Sequence, residues 1–303
     1  MKKLIYNIGQ MTEKEKQEFV IKCESEFEAQ LENAADIIIN EKCRIVTLSG
    51  PTCSGKTTTS SRFISQLENA GIRTAVISID DFFKSRDELF EHSKINGHEK
   101  VDYDSAFAID LDYFRECVDN IKSKRMTKIP KYGFVEGYRT GYYDFDASLF
   151  DCIIFEGIQA VYPEVTSLLP KGFKSVQISV ATDVMVNGVE FSSRQIRFLR
   201  RIIRDAKFRG SSPAFTLQVW KSVSDNEDKH IIPFGHLCDI QIDSYMEYEP
   251  FMIKNTLMEL LKDVNEDDDF YHKAVEIKGK FESFFEISPE YLPERSVYHE
   301  FLG

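Results

Sequence analysis

Positive charge is what this chain of 303 residues has least to spare: 38 Lys plus Arg face 50 Asp plus Glu, a formal net charge of −12. That sign excludes a protein whose bulk surface lies on nucleic acid or anionic lipid, so any contact with a polyanion has to be local. Paired cysteines are lacking as well. The six cysteines, at 23, 43, 53, 117, 152 and 238, include no CxxC, and the six histidines include no HxxxH. Neither a zinc site nor a disulfide framework is expected, and buried free thiols are. No stretch approaches the about 18 apolar residues of a membrane span, and the Met1–Met11 segment lacks the apolar core of a signal peptide. The expectation is a cytoplasmic protein without a membrane partner. Internal repeats and low-complexity segments are also absent.

What is present is apolar material for a core, 42% hydrophobic and 13% aromatic, in a length that suits one large domain or two ordinary ones. Thr12 and Glu15 read as a capping box, after which Val20, Cys23, Phe27, Leu31, Ala34 or Ala35 and Ile38 recur at helical spacing. This predicts a long amphipathic helix, folded onto the main body because its apolar stripe needs cover. From Cys43 the pattern changes. Arg44–Ser49 reads as a strand, Lys56–Ala70 as a helix stopped by Gly71, and Thr74–Ile79 as a second strand. Asp110–Ile121 reads as helix, and Asp151–Phe155 and Ser175–Val180 as buried strands, which together predict an α/β fold with a mostly parallel sheet between helices. Arg194–Gly210 reads as a basic helix and 250–303 as mixed helix.

Gly50, Pro51, Thr52, Cys53, Ser54, Gly55, Lys56 and Thr57 satisfy G-x-x-x-x-G-K-[ST] between a predicted strand and a predicted helix. The chemistry asks for each part. Glycines let backbone N–H groups turn toward phosphate oxygens, the helix N-terminus adds its positive dipole end, Lys56 brings a point charge to the β and γ phosphates, and Thr57 suits magnesium. A structural Gly-rich turn is the bland alternative, and the flanking strand and helix count against it.

The nucleotide's use depends on the carboxylates near the γ-phosphate. Asp80 and Asp81 end the second strand and Glu156 ends the strand over 152–155, all at the carboxyl rim where ligands bind in open α/β sheets. A kinase needs a carboxylate beside the acceptor hydroxyl and another at magnesium, and Asp80 suits the first role and Glu156 the second. Either alone would read as a solvated strand end. No NKxD-type guanine signature occurs. Arg194, Arg197, Arg200, Arg201, Arg204, Lys207 and Arg209 stand against Asp205 alone in an otherwise acidic chain. Positions 197, 201 and 204 share one helical face and 200, 204 and 207 its neighbour, which predicts a lid over a triphosphate near 194–213 rather than a solvated face.

GPTCSGKTTTS at 50–60, SIDDFFK at 78–84, DYDSAFAID at 102–110, IPKYGF at 129–134, IIFEGIQA at 153–160 and RRIIRDAKFRG at 200–210 occur in an order that resembles the uridine kinase and phosphoribulokinase family. The likeness runs from about Arg44 to about Ile253. It implies a P-loop kinase domain over 44–250, with an N-terminal helical arm (1–43) and a helical C-terminal extension (251–303). Segments 216–234, 243–249 and 296–303 resemble a bacterial uridine kinase-like subgroup. ATP and Mg2+ are the implied cofactors and a nucleoside or sugar the implied acceptor, most specifically the 5′-hydroxyl of uridine or cytidine. The resemblance makes Asp80 the general base, places Asp104 and Arg201 at the ribose hydroxyls, and puts Tyr132, Phe83 and Tyr103 around the acceptor. It assigns Gly50, Ser54, Gly55, Lys56, Thr57 and Thr58 to ATP, Arg204 and Arg209 to its phosphates in a lid, and Glu156 to the neighbourhood of magnesium. Two positions depart from the pattern: Gly137 stands where a base-reading histidine is expected, and Ser211 where an arginine is. A kinase for another small hydroxyl compound, such as a phosphopentose or a pantetheine precursor, is the first alternative, and a nucleotide-binding regulator with little turnover the second. Association of the chain with copies of itself is left open.

Overall fold

Ile45–Ser49 and Cys152–Glu156 are runs of five residues with little charge, which suits strands covered on both faces. In the computed structural model, which describes residues 2–95, 101 and 103–303, they are two of ten strands. The chain begins with β1 (Lys2–Tyr6), α1 (Glu13–Asn40), β2 (Ile45–Ser49), α2 (Lys56–Asn69), β3 (Thr74–Ser78), α3 (Arg86–Ile95) and α4 (Leu111–Lys122). It continues through β4 (Met126–Gly133), β5 (Tyr138–Asp146), β6 (Cys152–Glu156), α5 (Pro163–Thr166), β7 (Lys174–Ser179), β8 (Thr182–Val186), β9 (Val189–Phe191) and α6 (Ser193–Phe208). The remainder is α7 (Pro213–His230), α8 (Ile232–Gly235), β10 (Ile240–Asp243), α9 (Glu249–Leu260), α10 (Tyr271–Phe281) and α11 (His299–Leu302).

Five strands form one sheet in the order β10-β7-β2-β6-β3, every pair parallel. β2 lies at its centre with all five residues buried, and the chain leaves it toward β3 on one side and returns to β7 on the other. A crevice therefore opens at the carboxyl end of β2, where such sheets take their ligands. The periodicity readings for β2, α2, β3, α4, β6, β7 and α6 match the observed elements to within a few residues at their ends. Two hairpins, β4–β5 and β8–β9, were not expected: β4 and β5 are interrupted by Pro130, Gly133 and Gly141, and β8 and β9 are runs of only five and three residues.

Apolar cores line both faces of the sheet. One joins β3, α4 and the β4–β5 hairpin through residues such as Ile77, Phe82, Phe114, Ile129 and Phe155. The other joins α1, α2, α6, α9 and α10 to β2 and β7, and it includes Phe27, Phe63, Ile202, Phe251, Phe281 and Phe301. The capping box is present, with the Glu15 amide bound to Thr12 Oγ1 and the Thr12 amide to Glu15 Oε2, and the predicted stripe of α1 is the buried face. The N-terminal segment is not helical alone, since β1 pairs in parallel with β8. Glu24, buried on α1, accepts hydrogen bonds from Tyr248 Oη (2.7 Å), Ser296 Oγ and Arg62 Nη1 (3.2 Å), so one carboxylate ties the N-terminal helix to the 248 and 296 segments and to α2.

All six cysteines are free, and five are buried. Among the described residues no group of three His, Cys, Asp or Glu is placed to hold a metal ion, and no helix is long and apolar enough to cross a membrane.

Candidate active site

The G-x-x-x-x-G-K-T segment turns between β2 and α2 at the centre of the sheet edge. A Cβ at Gly50 would stand 2.3 Å from the Ile178 carbonyl oxygen, so only glycine lets the turn leave β2 beside β7. Gly55, at φ +80°, caps α2 in the left-handed region and hands the chain into the helix with no side-chain cap on its first amides among the described residues. Inside the turn Ser54 Oγ is buried with no hydrogen-bond partner among the described residues, a polar atom in want of a ligand. Arg197 Nη1 donates to the Thr52 carbonyl at 3.2 Å and Arg200 Nη1 to the Cys53 carbonyl at 3.4 Å, bracing the turn from α6. Thr57 is exposed on the first turn of α2, and Thr58 is half-buried beside it.

Lys56 forms an ion pair with Glu156 Oε1 at the end of β6. Burial pushes the Lys56 ammonium below its usual range, while the negative charges of Asp80 and Glu300 hold the proton on. Asp80 lies on the 3-10 turn Ile79–Phe82 that follows β3. Burial raises its carboxyl above the usual range; Lys56 opposes the rise, and the charges of Asp81 and Asp104 add to it. A Cβ at Gly157, the residue after Glu156, would lie 3.5 Å from Asp80 Oδ1, so the ends of β3 and β6 meet here. Asp81 faces elsewhere: its Oδ1 accepts the Tyr132 amide at 3.1 Å and so anchors the β4–β5 hairpin.

Tyr132 stands at the register shift of that hairpin, its ring edge-on to Phe83 (5.6 Å) and Phe134 (5.3 Å), and Phe83 lies 6.0 Å from Tyr103. The Tyr132 hydroxyl is buried without a hydrogen-bond partner among the described residues. Asp104 belongs to a segment held by Tyr162 Oη, which donates to its carbonyl, and by Gln159 Nε2, which donates to the Tyr103 carbonyl. Asp104 Oδ2 accepts from Asn226 Nδ2 of α7 at 3.1 Å. Asp102, the first residue of the DYDSAFAID stretch, lies outside the described residues. Beside the aromatic cluster a cleft of about 420 Å³ opens between Phe83, Lys84, Asp110 and Arg139.

The basic helix requires a correction. The lid expected near 194–213 is not a set of free cations, because tertiary carboxylates neutralise the first half of α6. Arg194 pairs with Asp228, Arg197 makes a buried two-pronged pair with Glu227 (2.6 and 2.8 Å), and Arg200, fully buried, does the same with Glu249 (2.7 and 2.9 Å). Arg201 was expected beside Asp104. Its Nε holds Asp205 Oδ2 at 3.1 Å, and Arg204 Nη2 holds Oδ1 of the same carboxylate at 2.9 Å. The charges of Arg204 and Arg201 both reach the buried Cys53 thiol, which burial raises and they lower, so this pair stands by the phosphate turn. Arg209 caps the C-terminus of α6, largely exposed and 3.7 Å from Asp205.

Gly137 is explained by its surroundings. Its φ is +81°, and a Cβ there would lie 2.7 Å from the Arg86 guanidinium, which donates to the Phe134 carbonyl at 2.8 Å. Arg86 fills the place a side chain at 137 would take. Ser211 follows α6 with its amide on the Asp205 carbonyl. Asn226, Arg86 and Glu300 had no signal in the sequence, since each meets the site only through the fold.

A central parallel sheet whose first core strand runs into a G-x-x-x-x-G-K-T turn, with the strand-end carboxylate of Glu156 on the lysine, defines a P-loop nucleotide-binding fold. Residues 45–249 match the Phosphoribulokinase / Uridine kinase family, and the chain belongs to it. A uridine kinase of Staphylococcus aureus (strain JH9) is 29% identical over 199 residues, 65% of this chain and 86% of the relative. Among solved structures, a possible uridine kinase from Bacillus stearothermophilus superposes with a TM-score of 0.39 at 18% identity, covering 50% of this chain and 80% of that one. A D-glycerate 3-kinase from Cryptococcus neoformans gives 0.37 at 20%, covering 43% and 53%.

Proposed function

We propose that the chain transfers the γ-phosphoryl group of ATP, with magnesium, to the 5′-hydroxyl of a pyrimidine nucleoside, uridine or cytidine. The observation that carries this reading is the shared field of Lys56, Asp80 and Asp104 at the end of the central strands, where Lys56 and Asp80 are both partly withdrawn from water. The amides of the 50–58 turn, Ser54 Oγ and Lys56 hold the phosphates, with Arg204 and Arg209 at their outer side. Thr57 and Glu156 offer magnesium a hydroxyl and a carboxylate. Such a sparse donor set suits an ion that keeps waters and substrate phosphates as ligands, and the ion neutralises phosphate charge. Asp80 takes the proton of the attacking hydroxyl. Burial raises its carboxyl above the usual range, which makes it a stronger base than an exposed aspartate. Asp104, held by Asn226, accepts from a ribose hydroxyl, and Tyr132 offers its unpartnered hydroxyl to the base against Phe83 and Tyr103. Arg201 is reassigned to the phosphate side. The work is mostly positioning and charge stabilisation.

The replacement of a side chain at 137 by the Arg86 guanidinium favours a second reading, an acceptor other than a pyrimidine nucleoside. Measuring kcat/KM for uridine, cytidine, adenosine, ribose and a phosphopentose separates the two. The first reading expects uridine and cytidine to lead and to lie within about tenfold of each other, because a missing polar reader weakens discrimination. A phosphopentose or free ribose in the lead would overturn it.

A further inference from the structure

The segment Ser296–Leu302 folds against the phosphate turn. Val297 is fully buried, and a Cβ at Gly55 would lie 2.4 Å from its Cγ1. Its neighbours are fastened from behind. Ser296 Oγ donates to Glu24, Tyr298 Oη donates to Glu249 and accepts from Arg200 Nη2 (3.0 Å), and the Leu302 carbonyl accepts from Lys207 Nζ. Glu300 is different, since none of these fastenings runs through its side chain. Its Oε2 accepts from Thr58 Oγ1 at 3.4 Å, within the first turn of α2, and its charge acts on Lys56.

A helix N-terminus with a lysine beside it attracts anions. On the function proposed above, on which this inference rests, the anion meant for that turn is the nucleotide's phosphate chain. Glu300 brings charge of the same sign to the same turn, from a half-buried position where screening by salt is weaker than at an open surface. We propose that Glu300 is a binding residue of the nucleotide site that acts by repulsion: its carboxylate competes with the nucleotide's phosphates for Thr58 and Lys56 and so sets the affinity for phosphate-bearing nucleotides. Because the segment is fastened through other residues, the side chain turns aside without loosening it. The effect falls on affinity and not on fold.

The test is calorimetric binding of ATP, ADP and adenosine, with magnesium present, to the wild-type chain, Glu300→Gln, Glu300→Ala and Lys56→Ala. Removing the charge should tighten ATP and ADP by about threefold to tenfold, the scale of one charge pair a few ångströms apart in a partly wet site. Adenosine should bind as before, and the gain should shrink at high salt. Unchanged or weaker ATP binding in a folded Glu300→Gln or Glu300→Ala protein overturns the inference, as does an equal gain for adenosine. If Lys56→Ala still weakens ATP in that case, the phosphate site itself stands. ATP affinity indifferent to Lys56 would remove the site reading and this inference together.

Discussion

The side chains that matter most are few and sit close together. Asp80 is half-buried, faces Lys56 and Asp104, and has its carboxyl raised by burial, whereas Asp81 spends its carboxylate on the Tyr132 amide. Asp80→Asn keeps the shape but cannot take a proton, and it should lower kcat by about 100-fold or more while ATP binding persists. Asp81→Asn should disturb acceptor KM more than kcat, because it loosens the hairpin that carries Tyr132. A reversed pattern would exchange the two roles. The direction of the Asp80 shift also fixes a pH dependence. The base works only when ionised, so kcat should fall as pH is lowered through a value above the ordinary aspartate range. That acid limb should vanish from the residual activity of Asp80→Asn, and its persistence there would assign the limb to another group.

At the scale of single elements, α6 shows what a sequence can and cannot reveal. The helix itself, the glycine-rich turn before α2 and the strand-end carboxylates were legible, because periodicity and a short motif are local properties of the chain. The fate of the charges was not. Arg197 and Arg200 find Glu227 and Glu249, residues 30 and 49 positions away, and only folding selects those partners. Asn226 beside Asp104 was hidden in the same way. Two substitutions on this helix should therefore part company. Arg200→Ala strands Glu249 in the core and should cost about 3–5 kcal/mol. Arg209→Ala, at an exposed helix end, should alter stability by less than about 0.5 kcal/mol yet lower kcat by about tenfold or more. Denaturant melts of both proteins beside their kinetics check the contrast, and equal destabilisation would contradict it.

Across the whole molecule, the segments outside the family match are part of the same core as the phosphate turn. Phe27 of α1 is buried and lies under the Arg62 guanidinium of α2, 5.0 Å from its ring, while Glu24 one turn earlier ties α1 to Ser296. Phe27→Ala should destabilise by about 3–5 kcal/mol and lower Tm by about 6 °C or more, although it touches no residue of the motif. A melt within a degree of the wild type would mean that the N-terminal helix is a detachable arm. The β1–β8 pairing and the seat of Val297 against Gly55 point the same way, since each ties a segment outside the family match to one inside it.

The account stands or falls on phosphoryl transfer that needs both Lys56 and Asp80. The direct measurement follows the γ-phosphate of labelled ATP into products, with uridine or cytidine present and absent, for the wild type, Lys56→Ala and Asp80→Asn. The account predicts labelled nucleoside monophosphate from the wild type, none from Lys56→Ala, and at least about 100-fold less from an Asp80→Asn protein that still binds ATP. Release of free phosphate at the same rate with or without an acceptor, undiminished in Asp80→Asn, would contradict it.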